Sequence, residues 1–308
     1  NNMQVKMIRK YLLTVCVTLT LGLTANAQIT DSIWTDDDLM KELEMEERAK
    51  NAKKAEKVLA KAIGKGSKGN VEEAYTLLNE AISLDSTNAT LYYNRAFAQS
   101  LRYHVKEAIK DYSKAIELDS LYTNAYLNRG LSYAEDNDNL RAIEDFTKVI
   151  EQDSAYSEAY YYRGVAYYFL IRLDSAVADF TTAIELDSAY SDAYYNRALI
   201  KSRQGDLKGA IADYSEAIKY NPFDADFYNN RGQVQYVLKN YRAAVADFNK
   251  TLYLDPDMAR TYVNRGNAHF MLKDKTSACI DWNQAREMGF AFNKNDETFL
   301  SKVCKRMQ

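Results

Sequence analysis

The sequence predicts an all-α protein, a solenoid of stacked helix–turn–helix units. Three observations predict it. Asn94-Arg95, Asn128-Arg129, Tyr162-Arg163, Asn196-Arg197, Asn230-Arg231 and Asn264-Arg265 recur at a constant step of 34 residues, and self-similarity at such a period marks a repeat architecture. Within each period, small and aromatic residues fall at helical spacing. Proline and glycine, which interrupt helices, number only 2 and 11 among 308 residues.

The chain opens on an expected export signal, residues 1–27. Lys6, Arg9 and Lys10 form a basic region, Tyr11 to Leu23 an apolar one, and Ala25 to Ala27 a small-x-small cleavage site before Gln28. The apolar run is shorter than the roughly 20 residues that a spanning helix needs. Cys16 belongs to that run, because Val15 stands where a lipoprotein signal has a small residue. Cleavage leaves no membrane span and places the protein in the periplasm, at the outer-membrane periphery or outside the cell. The formal net charge is −3, and it becomes −6 when the three signal cations are removed. An acidic chain gains nothing from phosphate counterion release, which excludes nucleic acid as a partner.

Residues 28–54 are charged. "TDDDLMKELEMEERAKNAKKAEKVLAKAI", 35–63, reads as a helix with Thr35 as its cap and Asp36 to Asp38 suited to its N-terminus. The repeat array follows over 55–292. Residues 55–88 are a degenerate unit with Val58 at the fourth position, and six strong units fill 89–292.

We number each strong unit 1 to 34 from Ala89, Thr123, Ser157, Ser191, Ala225 and Ala259. Position 4 is always Tyr, position 8 Ala or Gly, position 20 Ala and position 24 aromatic. Positions 1, 4, 8 and 11 share one face of a first helix, and 20, 21, 24, 27 and 28 one face of a second. Pairs such as Asn137-Asp138 and Gly205-Asp206 supply the turn between them. Gly at position 8 costs about 1 kcal/mol against Ala in a helix, so a neighbouring helix is expected to pass close there. Residues 293–308 are expected to form a terminal capping helix.

The pattern resembles the tetratricopeptide repeat, over 89–292. The resemblance implies antiparallel helix pairs wound into a right-handed α-solenoid, with the first helices on its concave face. Where the family favours Pro at position 32, only Pro222 and Pro256 keep it; Ser86, Ser120, Ser154 and Ser188 do not. Thr123, Ser157 and Ser191 are then candidate caps of the following helices.

Position 7 is always Arg and position 23 always Asp. Arg129, Arg163, Arg197 and Arg231 with Asp145, Asp179, Asp213 and Asp247 are read as a structural ladder, since repetition in every unit suits architecture better than one localised site. The opposite arc of the first helices supplies a candidate partner surface: Tyr93, Phe97, Leu127, Tyr161, Tyr168, Phe169, Tyr195, Arg203, Asn229 and Tyr236. Exposed aromatics in a groove mark protein interfaces. Position 5 has no basic residue and position 2 carries Glu158, Asp192 and Asp226, so a clamp for a partner's carboxylate is disfavoured.

No catalytic, metal or cofactor constellation stands out. "GKGSKG", 64–69, lacks the spacing and ending of a phosphate loop. The only histidines, His104 and His269, fall in different units. Cys279 and Cys304 are a candidate disulfide in an exported protein. The expected function is a non-enzymatic adapter that holds a peptide or helix of an envelope protein. The alternative is an accessory carbohydrate- or nutrient-binding subunit, its groove tyrosines stacking on sugars.

Overall fold

Each 34-residue period folds as two antiparallel helices, and the reason lies at positions 8 and 24. The computed structural model describes residues 36–304 and contains among them fifteen α-helices and no strand. In chain order they are α1 Asp36–Gly66, α2 Val71–Leu84, α3 Ala89–Leu101, α4 Val105–Leu118, α5 Thr123–Glu135, α6 Asn139–Gln152, α7 Ser157–Phe169 and α8 Leu173–Leu186. They continue as α9 Ser191–Gln204, α10 Leu207–Tyr220, α11 Ala225–Val237, α12 Tyr241–Leu254, α13 Ala259–Met271, α14 Lys275–Glu287 and α15 Lys294–Cys304. The expected signal segment and Thr35 lie outside the described residues. Two compact units divide at Asn51 and Ala52, and the repeats lie in the second.

The close neighbour of position 8 is the aromatic ring of the unit's own second helix. A Cβ on Gly164 would come within 2.8 Å of Phe180, and one on Gly130 within 2.7 Å of Phe146. The two residues vary together along the chain. Ala96 and Ala198 face Tyr112 and Tyr214; Gly130, Gly164, Gly232 and Gly266 face Phe146, Phe180, Phe248 and Trp282. Ala at position 20 is fully buried in every strong unit and lets the second helix lie close against its neighbours.

Both turns have a local cause. Position 15, between the helices, is left-handed in every strong unit: Tyr103, Asn137, Ile171, Gly205, Lys239 and Lys273 have φ from 59° to 88°. Ile171 holds this conformation although it is β-branched, for which it is strained. Position 31 closes each of the first five strong units with an Asx turn. Asp119, Asp153, Asp187, Asn221 and Asp255 each accept a hydrogen bond from the backbone N–H two residues on, at 2.9–3.3 Å. That bond holds the turn where position 32 is Ser instead of Pro. Thr123, Ser157 and Ser191 are not caps: they are the first helical residues, and Tyr122, Tyr156 and Tyr190 occupy the cap positions without a side-chain bond.

The ends differ from the interior. α1 runs unbroken across 54/55, so the charged segment and the first helix of the degenerate unit are one element. Its Ala62 packs with Leu77, Leu78 and Ala98. At the other end α15 lays Leu300 into the cluster of Ala278, Cys279 and Trp282. Cys279 and Cys304 are bonded, with S–S 2.01 Å and Cα–Cα 5.7 Å. Close approaches between non-consecutive helices join α3 to α5, α5 to α7, α9 to α11 and α11 to α13, all first helices of adjacent units, which places those helices on the inner side of the array.

Candidate functional site: the inner face and the seam behind it

The seam repeats six times with one geometry. Arg163 donates from Nε and Nη2 to the two oxygens of Asp179, both at 2.8 Å. Its remaining nitrogen, Nη1, donates to Thr147 of the preceding unit at 3.1 Å. Its guanidinium lies over the Tyr160 ring, 5.5 Å from the centroid. Arg129 with Asp145, Arg197 with Asp213 and Arg231 with Asp247 do the same, as do Arg95 with Asp111 and Arg265 with Asp281. The acceptors in the preceding units are Asn79, Ser113, Thr181, Ser215 and Asn249. One arginine thus ties its own two helices together and ties the unit to its predecessor. Burial pushes the Asp145 carboxyl above its ordinary range, and Arg129 pulls it back. The hydroxyl or amide at position 25 escaped the sequence reading, although it recurs in every unit.

The position-5 tyrosines stand elsewhere than the sequence reading placed them. Tyr93, Tyr161 and Tyr195 are half-buried in the joints between units. Their hydroxyls accept hydrogen bonds from Asn128, Asn196 and Asn230 of the next first helix, at 3.0, 3.2 and 3.1 Å. Their rings lean on Tyr112, Phe180 and Tyr214 with centroids 5.8–5.9 Å apart. Burial first, then the charge of Asp192 or Asp226, pushes Tyr161 and Tyr195 up to about 12. Leu127 is half-buried against the Tyr133, Ala142 and Phe146 cluster, and Asn229 accepts from the Thr261 hydroxyl at 3.1 Å. These five side chains join units together; they are not free groove contacts.

What the inner face leaves open is at positions 9, 12 and 13. Phe97 is 46% exposed, Phe169 66%, Val237 63% and Met271 45%. Tyr168 is half-buried between Phe169, an edge-on neighbour at 5.9 Å, and the exposed Arg203, whose guanidinium lies 5.1 Å from its centroid. Tyr236 meets Tyr241 edge-on at 5.3 Å. At the opposite ends of the first helices stand Glu158, Asp192 and Asp226, each at least partly open to solvent. Burial, and the nearby charge of Asp224, raise Asp192; burial, Asp224 and Asp255 raise Asp226. Among the described residues no His, Cys, Asp and Glu group is arranged to hold a metal ion, and no helix is long and apolar enough to cross a membrane.

This geometry agrees with the comparisons. "TPR repeat" and "Tetratricopeptide repeat" profiles match residues 67–101, 105–137 and 200–239, 225–258, and 127–191, together more than half of the chain. The chain belongs to the tetratricopeptide repeat family. A tetratricopeptide repeat protein from Parabacteroides merdae shares the fold at TM-score 0.59 and 23% identity, over 81% of this chain and 98% of its own. The MamA protein matches at TM-score 0.50 and 26% identity, over 56% of this chain and 94% of its own. YrrB, "a TPR protein with an unusual peptide-binding site", matches at TM-score 0.50 and 23% identity, over 60% and 95%. No curated protein matches the chain. Tetratricopeptide arrays present extended concave surfaces as scaffolds for binding.

Proposed function

We propose that this tetratricopeptide protein is a non-enzymatic adapter of the cell envelope that holds a peptide or helix of a partner protein along its inner face. The observation that carries the reading is the two-edged inner face. One edge carries Leu101, Phe169, Val237 and Met271, four of the six residues at position 13 and 45–66% exposed, with Glu135 and Arg203 as the other two. Phe97 adds to it. The other edge carries Glu158, Asp192 and Asp226, with no basic side chain paired to them among the described residues. Their place in the first turn suits the helix dipole, but burial and then Asp224 disfavour the charge of Asp192 and Asp226, with Asp255 adding to the second. A partner segment that is apolar along one side and basic along the other complements both edges.

The expected export signal and the Cys279–Cys304 bond, which suits an oxidising compartment, support the envelope location. YrrB, which shares the fold, is described as having an unusual peptide-binding site, and that use supports the reading. The carbohydrate alternative loses its strongest support, because Tyr93, Tyr161 and Tyr195 are occupied in the joints.

The test is proximity crosslinking in the native envelope with the wild type and with Phe97→Ser/Phe169→Ser/Met271→Ser. A basic partner captured by the wild type alone supports the reading, and equal capture by both overturns it. Capture should weaken as pH falls through the raised range of Asp192 and Asp226, above the ordinary aspartate value of about 3.9, because protonation removes the negative edge. Glycan-array binding without a protein partner would favour the alternative.

A further inference from the structure

The joint between the fifth and sixth units lacks a part that the other joints have. At three joints a tyrosine at position 5 covers the ring at position 24 and receives the amide of the next unit's Asn: Tyr93 from Asn128, Tyr161 from Asn196, Tyr195 from Asn230. At the second joint Leu127 replaces the tyrosine, and Tyr162 replaces the Asn, its ring stacking on Phe146 at 5.9 Å. An aromatic ring therefore covers position 24 at each of these four joints. At the fifth joint the residue is Asn229, whose amide oxygen is turned to Thr261. Asn264, the counterpart of Asn128, Asn196 and Asn230, has no tyrosine to meet.

A pocket of about 180 Å³ opens there, lined by Gln233, Tyr236, Val237, Phe248, Asn264 and Asn267. Phe248 lies beneath it, fully buried, with Tyr236 packed against its cluster. The pocket shares two walls, the ring at position 24 and the Asn at position 6, with the sites that tyrosines fill at the other joints.

We propose that this pocket receives a tyrosine side chain from the partner segment, replacing in trans the one the chain omits. Its ring would pack on Tyr236 and Val237 above Phe248, and its hydroxyl would meet the Asn264 amide. Room is sufficient: a cavity of about 150 Å³ accepts benzene. No charged side chain lines the pocket, so a charged group would be desolvated without a counter-ion. A plain hydrocarbon would leave the half-buried Asn264 amide facing it unpaired. Gln233 and Asn264 make no hydrogen bond to the chain among the described residues, whereas Asn267 accepts from the Trp282 indole at 3.0 Å. A phenol is neutral, planar and carries one group for those amides. The identification of the tyrosine as a partner's rests on the proposed peptide-binding use of the inner face; the pocket's preference for a phenol does not.

The experiment titrates N-acetyl-tyrosinamide and N-acetyl-phenylalaninamide into the isotope-labelled full chain and follows side-chain amide signals by NMR. The expected result is a perturbation at Gln233 and Asn264, with the tyrosine compound binding about fivefold tighter, the worth of one net hydrogen bond. Asn229→Tyr, which supplies the ring in cis, should abolish the perturbation while the chain stays helical. Asn264→Leu should keep ring binding and erase the fivefold preference, which serves if the first variant fails to fold. Silent amides, or equal binding of the two compounds to the wild type, would overturn the proposal. Because the probes are small molecules, a failed partner capture with a successful titration would reject the adapter reading and leave the pocket assignment standing.

Discussion

The seam of Arg and Asp and the inner face of the first helices draw on the same helices, yet they behave oppositely along the chain. The seam is the same in all six strong units: Arg at position 7, Asp at 23, a hydroxyl or amide at 25. The inner face changes at every step: Phe97, Leu131, Val165, Leu199, Gln233 and Asn267 at position 9, and Leu101, Glu135, Phe169, Arg203, Val237 and Met271 at position 13. A contact that every unit must make to stack on its neighbour is repeated. A surface that meets a non-repeating partner is free to differ unit by unit. The comparison separates the residues that build the array from those available to use it.

The largest expected effect breaks the seam. Asp179→Ala leaves the Arg163 side chain, 17% exposed, with Thr147 and the faces of Tyr160 and Tyr167 but no counter-charge. Removing one partner of a largely buried pair costs about 3–5 kcal/mol, read as a lower urea midpoint. Arg163→Met/Asp179→Leu should recover most of it, because an apolar pair leaves no charge behind. If Asp179→Ala melts like the wild type, the seam is ornament. The next effect is at the end of the array. Cys304→Ser opens the bond that fastens α15, across a sequence separation of 25, and a loop of that size is worth about 3 kcal/mol. Since repeat arrays lose their ends locally, hydrogen exchange should rise in α14 and α15 and stay unchanged in α7.

A third prediction tests the coupling of positions 8 and 24. Gly164→Ala puts a methyl 2.8 Å from the Phe180 ring, and overpacking of this kind costs about 1–3 kcal/mol. The loss is read by the same urea midpoint.

The period made the fold legible, since it fixed two helices per unit and which residues each unit buries, though it placed Thr123, Ser157 and Ser191 one residue outside the helices they open. It also exposed Arg163 and Asp179 as partners, because two invariant opposite charges sixteen residues apart face one another across an antiparallel turn. It failed at Tyr93, Tyr161 and Tyr195 for a physical reason. A helical wheel has one buried arc, but a helix in a stack has two: one toward its own partner helix and one toward the next unit. Position 5 lies on the second arc. The signal was in the sequence as a pair, Tyr at position 5 with Asn at position 6 of the following unit, and as its exchange at Leu127 and Tyr162. The Asx turn at position 31 was hidden likewise, because the Asp that makes it stands beside the more conspicuous absence of Pro.

The smallest effect separates a joint from a groove. Tyr161→Phe keeps the ring on Phe180 and Tyr190 but removes the hydroxyl that accepts from Asn196. The Asn196 amide keeps its second acceptor, the Asp192 carbonyl at 2.9 Å, so no group is stranded and the loss should be near ~1 kcal/mol. Phe169→Ser, on the open face and 66% exposed, should stay within about 0.5 kcal/mol of the wild type. The order of these two by urea midpoint decides whether tyrosines on the first helices belong to the architecture. If Tyr161→Phe is silent while Phe169→Ser destabilises, the roles assigned to the two positions exchange.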